Sequence, residues 1–213
     1  VFVMLMSTKA FAYDLEVEGI RYDIVSFTDL TVKATSLSPD KKGEIKITPF
    51  ITYGKKTLKV VGLGKNFAIS NKQITSINIE GIDSISEGAF CDCQNLQTIT
   101  IGESVKVIDN YAFKNCINIK TVQLGDNISI LNEGVFEGCI KLAACTCNKK
   151  IDTIGNRAFY KCSSLKEFVI PSSITNIGNS AFAYCNKLEA IEIPDNVTKL
   201  GYTVFAGCKN LKT

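Results

Sequence analysis

The chain has 213 residues, of which 46% are hydrophobic, and its 24 basic and 21 acidic residues give a formal net charge of +3. This composition is typical of a folded chain of one or two domains, and the absence of a block of like charge argues against a nucleic-acid or membrane-surface partner. Histidine is absent, which excludes catalytic triads and metal sites that depend on imidazole.

The first twelve residues resemble the end of a signal peptide. They are largely apolar and finish with Ala10, Phe11 and Ala12, the small-x-small pattern after which signal peptidase cuts. We therefore predict that residues 1–12 are a signal-peptide remnant, that the mature chain starts at Tyr13, and that the protein is secreted or displayed at the cell surface. Because no initiator Met or basic leader precedes Val1, we expect the sequence to be a fragment. No segment reaches the roughly 20 apolar residues of a transmembrane helix.

Residues 13–70 contain several short alternating segments and no repeat. Examples are LEVEGIRYDIV at 15–25, EIKIT at 44–48 and LKVVGL at 58–63, separated by turn-forming sequences. Alternation of this kind predicts β-hairpins. We interpret the region as an N-terminal β-rich cap, because the first unit of a repeat array would otherwise expose apolar side chains and an unpaired sheet edge.

A repeat of 23 residues occupies residues 71–213. Phenylalanine recurs at this step six times, at Phe90, Phe113, Phe136, Phe159, Phe182 and Phe205. A cysteine follows each of these three residues later, at Cys93, Cys116, Cys139, Cys162, Cys185 and Cys208. Three residues after each cysteine stands an apolar residue, such as Leu96. Two apolar residues with period two come next, such as Ile99 and Ile101. The period of two predicts one short strand per unit.

One such unit cannot bury its apolar positions alone, so the units must stack. Burial of one Leu, Ile or Phe side chain contributes roughly 1.5–3 kcal/mol, whereas ordering the backbone costs about 1–2 kcal/mol per residue. We therefore predict a repeat solenoid with parallel strands. Since Thr213 stands where the next strand should begin, we expect further repeats in the native protein.

The repeat is similar to that of the BspA-like leucine-rich repeat family. The segments IGNRAFYKCSSLKEFVIP at 154–171 and IGNSAFAYCNKLEAIEIP at 177–194 carry the resemblance. It implies parallel β-strands on a concave face, short helix or turn segments opposite, and adhesion to host, matrix or other cell-surface proteins. It also implies an anaerobic habitat for many members, in which thiols persist after export.

The cysteine column allows two interpretations. A disulfide ladder or metal array would be functional, whereas a small apolar side chain in a fixed core slot would be structural. We favour packed free thiols, because stacked strands lie farther apart than the Cβ separation of a disulfide, although secretion ordinarily favours oxidation. Cys145 and Cys147 also occupy inward strand positions, at a long reach for a disulfide. Cys91 lies off the column and is the expected reactive thiol.

The outward strand positions are the candidate binding residues. They are small and weakly polar, which favours a shallow protein-contact face over a catalytic cleft. A solvated strand face with no partner in this segment is an equally open alternative. The tyrosines at 111, 160, 184 and 202 occupy four different offsets in the repeat, so we predict no stripe for stacking sugars or bases. The selected residues are Thr98, Thr100, Thr121, Gln123, Thr146, Glu167, Val169 and Glu192.

The sequence thus predicts a secreted or cell-surface protein-binding and adhesion module with a protein ligand. No catalytic residue, cofactor or metal site is expected, and no nucleic-acid partner. The alternative is a repeat scaffold or spacer of a longer enzyme or anchored surface protein whose active part lies beyond Thr213. Fold does not fix function, and the sequence gives no indication of the oligomeric state.

Overall fold

The computed structural model describes residues 14–212, and the predicted signal-peptide remnant lies outside this range. All regular secondary structure in these residues is β-strand, and the described chain contains no helix. The segments that the family resemblance implied to be helices or turns are therefore turns and two-residue strands. Each unit has only 23 residues for a longer strand, a two-residue strand and the phenylalanine segment, so short turns must connect them.

Six strands precede the repeat. They are β1 (Leu15–Val17), β2 (Ile20–Ser26), β3 (Thr31–Leu37), β4 (Gly43–Ile47), β5 (Phe50–Tyr53) and β6 (Lys56–Leu63). Antiparallel pairing joins β1 to β2, β2 to β3 and β5 to β6, as expected for hairpins. Gly54 in the β5–β6 turn has a φ of +63°, a left-handed conformation that glycine adopts at little cost.

Ten strands follow in the repeat. They are β7 (Ile74–Ile79), β8 (Ser84–Ile85), β9 (Thr98–Ile101), β10 (Val107–Ile108), β11 (Thr121–Gln123), β12 (Ile130–Leu131), β13 (Ala144–Thr146), β14 (Thr153–Ile154), β15 (Asn176–Ile177) and β16 (Lys199–Leu200). The longer ones form parallel sheets in the orders β4–β7–β9 and β11–β13. The two-residue strands form a second parallel series. Strands β8 and β10 continue from the longer strand β6 in the order β6–β8–β10, and the others follow the order β12–β14–β15–β16. Equivalent positions of successive units pair with each other, for example Val122 with Cys145.

A third series of backbone hydrogen bonds runs through the phenylalanine segments. The amide of Phe113 donates to the carbonyl of Val135 at 3.0 Å, and that of Phe136 donates to Ala158 at 2.9 Å. The rings of consecutive units stack with centroids 5.3–5.8 Å apart. Five of the six repeat phenylalanines, from Phe90 to Phe182, are fully buried, so this column forms the centre of a continuous core.

The N-terminal strands continue both series of the repeat. Strand β4 pairs with β7 and strand β6 pairs with β8, both in parallel. The apolar side chains of these N-terminal strands, such as Ile45 and Val60, are completely buried and belong to the same core cluster as the repeat. Both strands of the first repeat, β7 and β8, are therefore paired with an N-terminal strand.

The longer strands disappear in the last two units, where the sequence predicts them. Only an isolated bridge between Glu167 and Ala190 remains there. In the first unit the residue after the strand, Gly102, donates its amide to Ile79 at 2.8 Å. Pro171 and Pro194 occupy this position later in the chain, and proline has no amide hydrogen to donate. The inward and outward alternation nevertheless persists, since Phe168 and Ile170 are buried while their neighbours are exposed.

Candidate functional site

The outward side chains of the longer strands form one exposed surface, which we call the strand face. Thr121 pairs with Ala144 and Gln123 pairs with Thr146, so equivalent side chains stand side by side. In the last units Val169 is 82% exposed. All eight residues selected from the sequence are exposed, as the alternation of inward and outward positions predicts: Thr98, Thr100, Thr121, Gln123, Thr146, Glu167, Val169 and Glu192.

The strand face extends further towards the N-terminus than the sequence suggested. Ser76 and Asn78 of β7 pair with Thr98 and Thr100, and Glu44 and Lys46 of β4 pair in turn with Ser76 and Asn78. The alternating segment EIKI at 44–47 was visible in the sequence. Its register against the repeat was not, because β4 and β7 are separated by the β5–β6 hairpin.

The chemistry of the strand face is that of a hydrogen-bonding surface. Its centre carries hydroxyl and amide groups from Ser76 to Thr146, and carboxylates occur towards both ends, at Glu44 and Glu192. Hydroxyl and amide groups both donate and accept hydrogen bonds without a change of protonation. Within residues 14–212, no cluster of three or more His, Cys, Asp or Glu side chains could hold a metal ion.

The cysteine column is a ladder of hydrogen-bond donors as well as a set of core slots. The Sγ of Cys116 donates to the carbonyl of Phe90 in the preceding unit at 3.1 Å, and Cys139 donates to Phe113 at 3.2 Å. Cys162, Cys185 and Cys208 repeat this bond at 3.1–3.2 Å, and Cys93 donates to Ala68 at 3.0 Å. The expectation of a purely apolar slot was incomplete, because the thiols also bind backbone carbonyls.

Burial keeps the column thiols protonated. It raises the pKa of Cys93 and of Cys139 to about 12, and it raises the pKa of Cys116 and of Cys162 well above the usual range. A thiol must lose its proton to act as a nucleophile or metal ligand. All nine cysteines, which lie between residues 91 and 208, are free thiols in the structure.

The prediction that Cys91 is a reactive thiol is wrong. Its side chain is half-buried and its Sγ donates a hydrogen bond to Asp92 Oδ2 at 3.3 Å. Burial, followed by this hydrogen bond and the negative charge of Asp92, raises the pKa of Cys91 to about 11. The sequence placed the residue off the column correctly but could not show the carboxylate bonded to it.

A charged cluster around Glu137 was missed by the sequence reasoning. Glu137 is only 7% exposed, and its Oε1 contacts Lys114 Nζ at 3.2 Å and Arg157 Nη2 at 3.0 Å. The hydroxyl of Tyr111 donates to Glu133 beside it. These residues come from three consecutive units, and each lies within three residues of a column phenylalanine. Their closeness to the phenylalanine column is the one signal in the sequence that could have found them.

Two of the four tyrosines contact each other near this cluster, and a single pair is not the stripe that the sequence argued against. The rings of Tyr160 and Tyr184 pack edge to face with centroids 5.5 Å apart, and the Arg157 guanidinium lies 4.3 Å from the centre of the Tyr160 ring. Lys161 and Tyr184 both have left-handed backbones, with φ near +60°. The tight turns thus bring together side chains whose positions in the repeat differ.

Comparison with known proteins identifies the repeat. The family model described as BspA type leucine rich repeat region matches residues 83–212 with six copies. A search of curated protein sequences found no match. Within residues 14–212, no helix has the length and apolar character needed to cross a membrane.

Two solved structures share the fold at low sequence identity. The T. pallidum leucine rich repeat protein TpLRR is 20% identical with a TM-score of 0.82, over 93% of this chain and 90% of that one. A leucine rich cell surface protein from Faecalibacterium prausnitzii is 21% identical with a TM-score of 0.64, over 93% of this chain and 53% of that one. The chain thus has a leucine-rich repeat fold and spans about half of the second protein.

Proposed function

The chain belongs to the BspA-type leucine-rich repeat family, and on this premise we propose that it is a secreted or cell-surface module that binds a protein ligand through the strand face. Its role is adhesion to host, matrix or other cell-surface proteins, and it carries out no catalysis. The signal-peptide remnant proposed for residues 1–12 would provide export. The structural neighbour from F. prausnitzii is itself described as a cell surface protein, which supports the proposed location.

The exposed row of neutral polar side chains on paired strands is the observation that carries the proposal. Thr98, Thr100, Thr121 and Gln123 project from one side of their strands while the alternate residues are buried. Such a surface offers donors and acceptors at regular spacing, since neighbouring strands lie about 4.8 Å apart. Polar groups that fix the register of a flat contact suit a protein ligand better than a small molecule, which prefers a concave pocket.

The proposal also divides the chain into two parts. Residues 13–70 form the cap, and residues 71–213 form a solenoid with the strand face on its concave side. The pairing of β4 with β7 and of β6 with β8 supports this division, because it covers the apolar end of the first unit.

Lysine substitutions on two faces test the proposal. The strand-face variant replaces Thr100, Gln123 and Glu192 by Lys, which adds four positive charges to the protein. The control variant replaces Ser129, Asp152 and Ser172 by Lys; these residues are exposed near the two-residue strands, and the added charge is the same. Binding of all three proteins is measured on immobilised extracellular matrix proteins and on intact host cells.

We expect binding by the wild type and the control and at least a tenfold loss in the strand-face variant, about 1.4 kcal/mol or more. If both variants bound as tightly as each other, the binding site would not be on the strand face. Absence of binding by the wild type on every surface would favour the scaffold or spacer alternative.

A further inference from the structure

The turns that follow the column cysteines carry a concentration of positive charge. The six four-residue segments directly after these cysteines are QNLQ, INIK, IKLA, SSLK, NKLE and KNLK. They contain six lysines and a single acidic residue, Glu189. We call these lysines the lysine edge; its members are Lys120, Lys141, Lys166, Lys187, Lys209 and Lys212.

The pairing of successive units brings the lysine edge into one row. The amides of Ala143, Lys166, Glu189 and Lys212 each donate to the carbonyl of the equivalent residue one unit earlier, at 2.8–3.4 Å. Since neighbouring strands lie about 4.8 Å apart, the four steps from Lys120 to Lys212 span roughly 20 Å. In the sequence these lysines are mostly about one repeat apart, so they form no block of like charge there.

The charges of the lysine edge are accessible and are not neutralised. All six lysines are exposed, and within residues 14–212 none of them belongs to an ion pair. The Nζ of Lys141 donates to Asn118 Oδ1 at 2.6 Å, and Asn118 Nδ2 donates to the carbonyl of Gln94 at 2.7 Å. A neutral partner of this kind positions the ammonium group and leaves its charge in place.

The turns at the opposite end of the strand segments have no such excess of positive charge. Residues 102–106, 125–129, 148–152, 171–175 and 194–198 contain three lysines and four acidic residues. One of these lysines matches Lys141 closely, because Lys150 Nζ donates to Asn127 Oδ1 of the preceding unit at 2.9 Å. The positive charge is therefore a property of one edge and not of the turns in general.

The chemistry of the lysine edge suits a hydrated polyanion. A lysine ammonium is a compact, strongly hydrated charge on a flexible stem, so it can follow anionic groups whose positions vary. The six turns contain no arginine and no aromatic residue, the types that are enriched in protein contacts and that stack single-stranded bases. We propose that the lysine edge binds a sulfated polysaccharide whose chain crosses successive units. This site is separate from the strand face and does not depend on the protein ligand.

Binding of dextran sulfate by the full chain tests the proposal. Unmodified dextran of the same length is the matched control ligand, because the two polymers differ only in their sulfate groups. A short DNA duplex represents the other class of polyanion. We expect dextran sulfate to bind more tightly than the duplex, dextran not to bind, and the affinity for dextran sulfate to fall as salt is added, since bound counterions are released from the polymer.

Two triple variants remove the same charge from opposite edges. The edge variant replaces Lys141, Lys166 and Lys187 by Gln, and the control variant replaces the three lysines of the opposite turns by Gln: Lys106, Lys149 and Lys150. We expect the edge variant to bind dextran sulfate at least about tenfold more weakly, a factor of about two to three for each contact. The control should stay within about twofold of the wild type, because salt screens distant charges. Equal urea midpoints establish that the variants fold alike.

Replacement of the one acid in the row provides a test of opposite sign. Glu189 lies between Lys166 and Lys212 in the same hydrogen-bonded series, where its carboxylate repels sulfate groups. Glu189→Gln should therefore raise the affinity for dextran sulfate by about twofold to threefold.

Several results would overturn the proposal. An equal loss in both triple variants would show that binding follows the net charge of the protein. Absence of dextran sulfate binding by the wild type, equal binding of dextran, tighter binding of the DNA duplex, or no gain in affinity with Glu189→Gln would also contradict it.

Discussion

Substitution of Cys139 tests the role of the column thiols. Cys139 is completely buried, and its Sγ donates to the Phe113 carbonyl at 3.2 Å. That carbonyl also accepts the amide of Cys116 in its own unit at 3.3 Å. Cys139→Ala removes one buried heavy atom and one of the two donors, while the carbonyl keeps a partner. We expect a loss of about 1–2 kcal/mol in the free energy of unfolding, mostly from the small cavity.

The variant Cys139→Ser distinguishes a donor from an apolar filler. A hydroxyl keeps the donor directed at Phe113, although the shorter C–O bond lengthens the contact. If the slot required only an apolar side chain, the buried hydroxyl would cost about 1–3 kcal/mol more than alanine. If the slot binds a donor, as the six equivalent bonds indicate, serine should destabilise the protein no more than alanine does.

Urea denaturation of the reduced full chain provides the assay. The free energy of unfolding is extrapolated from the transition, and unchanged slopes establish that the unfolded states are comparable. Cys91→Ser is the control, because Cys91 is half-buried and lies off the column. A serine variant that is less stable than the alanine variant by 1 kcal/mol or more would refute the hydrogen-bonding role.

Three further predictions concern stability. Burial raises the pKa of Cys93 and Cys139 to about 12, so above about pH 9 the unfolded state binds fewer protons than the folded state. The free energy of unfolding should be constant below that pH and should then fall by about 1.4 kcal/mol per pH unit for each such thiol. Urea denaturation at several pH values should show a smaller slope for Cys139→Ala. Glu137→Gln should cost about 1–2 kcal/mol through its buried contacts to two cations, whereas Asp83→Asn, which breaks an exposed pair, should cost less than about 0.5 kcal/mol; equal urea midpoints for these two would contradict this. Gly138→Ala should cost about 1–3 kcal/mol, because φ is +73° and the new Cβ would lie 2.2 Å from Asn115 Oδ1, while Lys161→Gly at the same repeat position should stay within about 1 kcal/mol of the wild type by thermal unfolding.

Periodicity predicted the parts of the structure that depend on burial. The phenylalanine and cysteine columns are set by one spacing, and stacking leaves only one way to bury them, so their positions could be inferred from the sequence. The strand face followed from the same alternation.

Contacts that depend on the path of the turns could not be predicted. Glu137 contacts Lys114 and Arg157 because tight left-handed turns direct these side chains together, and no spacing rule describes that path. The same holds for the carbonyl acceptors of the cysteine column, since a sequence shows which side chains are buried but not which backbone atom each one meets.

Hydroxyl-radical footprinting of the chain bound to a matrix protein tests the strand-face proposal most directly. Val169 lies on the strand face and is 82% exposed, whereas Val107 and Ile130 lie on the two-residue strands and are 46% and 41% exposed. All three are aliphatic side chains, so their oxidation reports solvent access by the same chemistry. The proposal predicts that the bound protein protects Val169 and leaves Val107 and Ile130 unchanged. Protection of Val107 and Ile130 with unchanged oxidation of Val169 would contradict it.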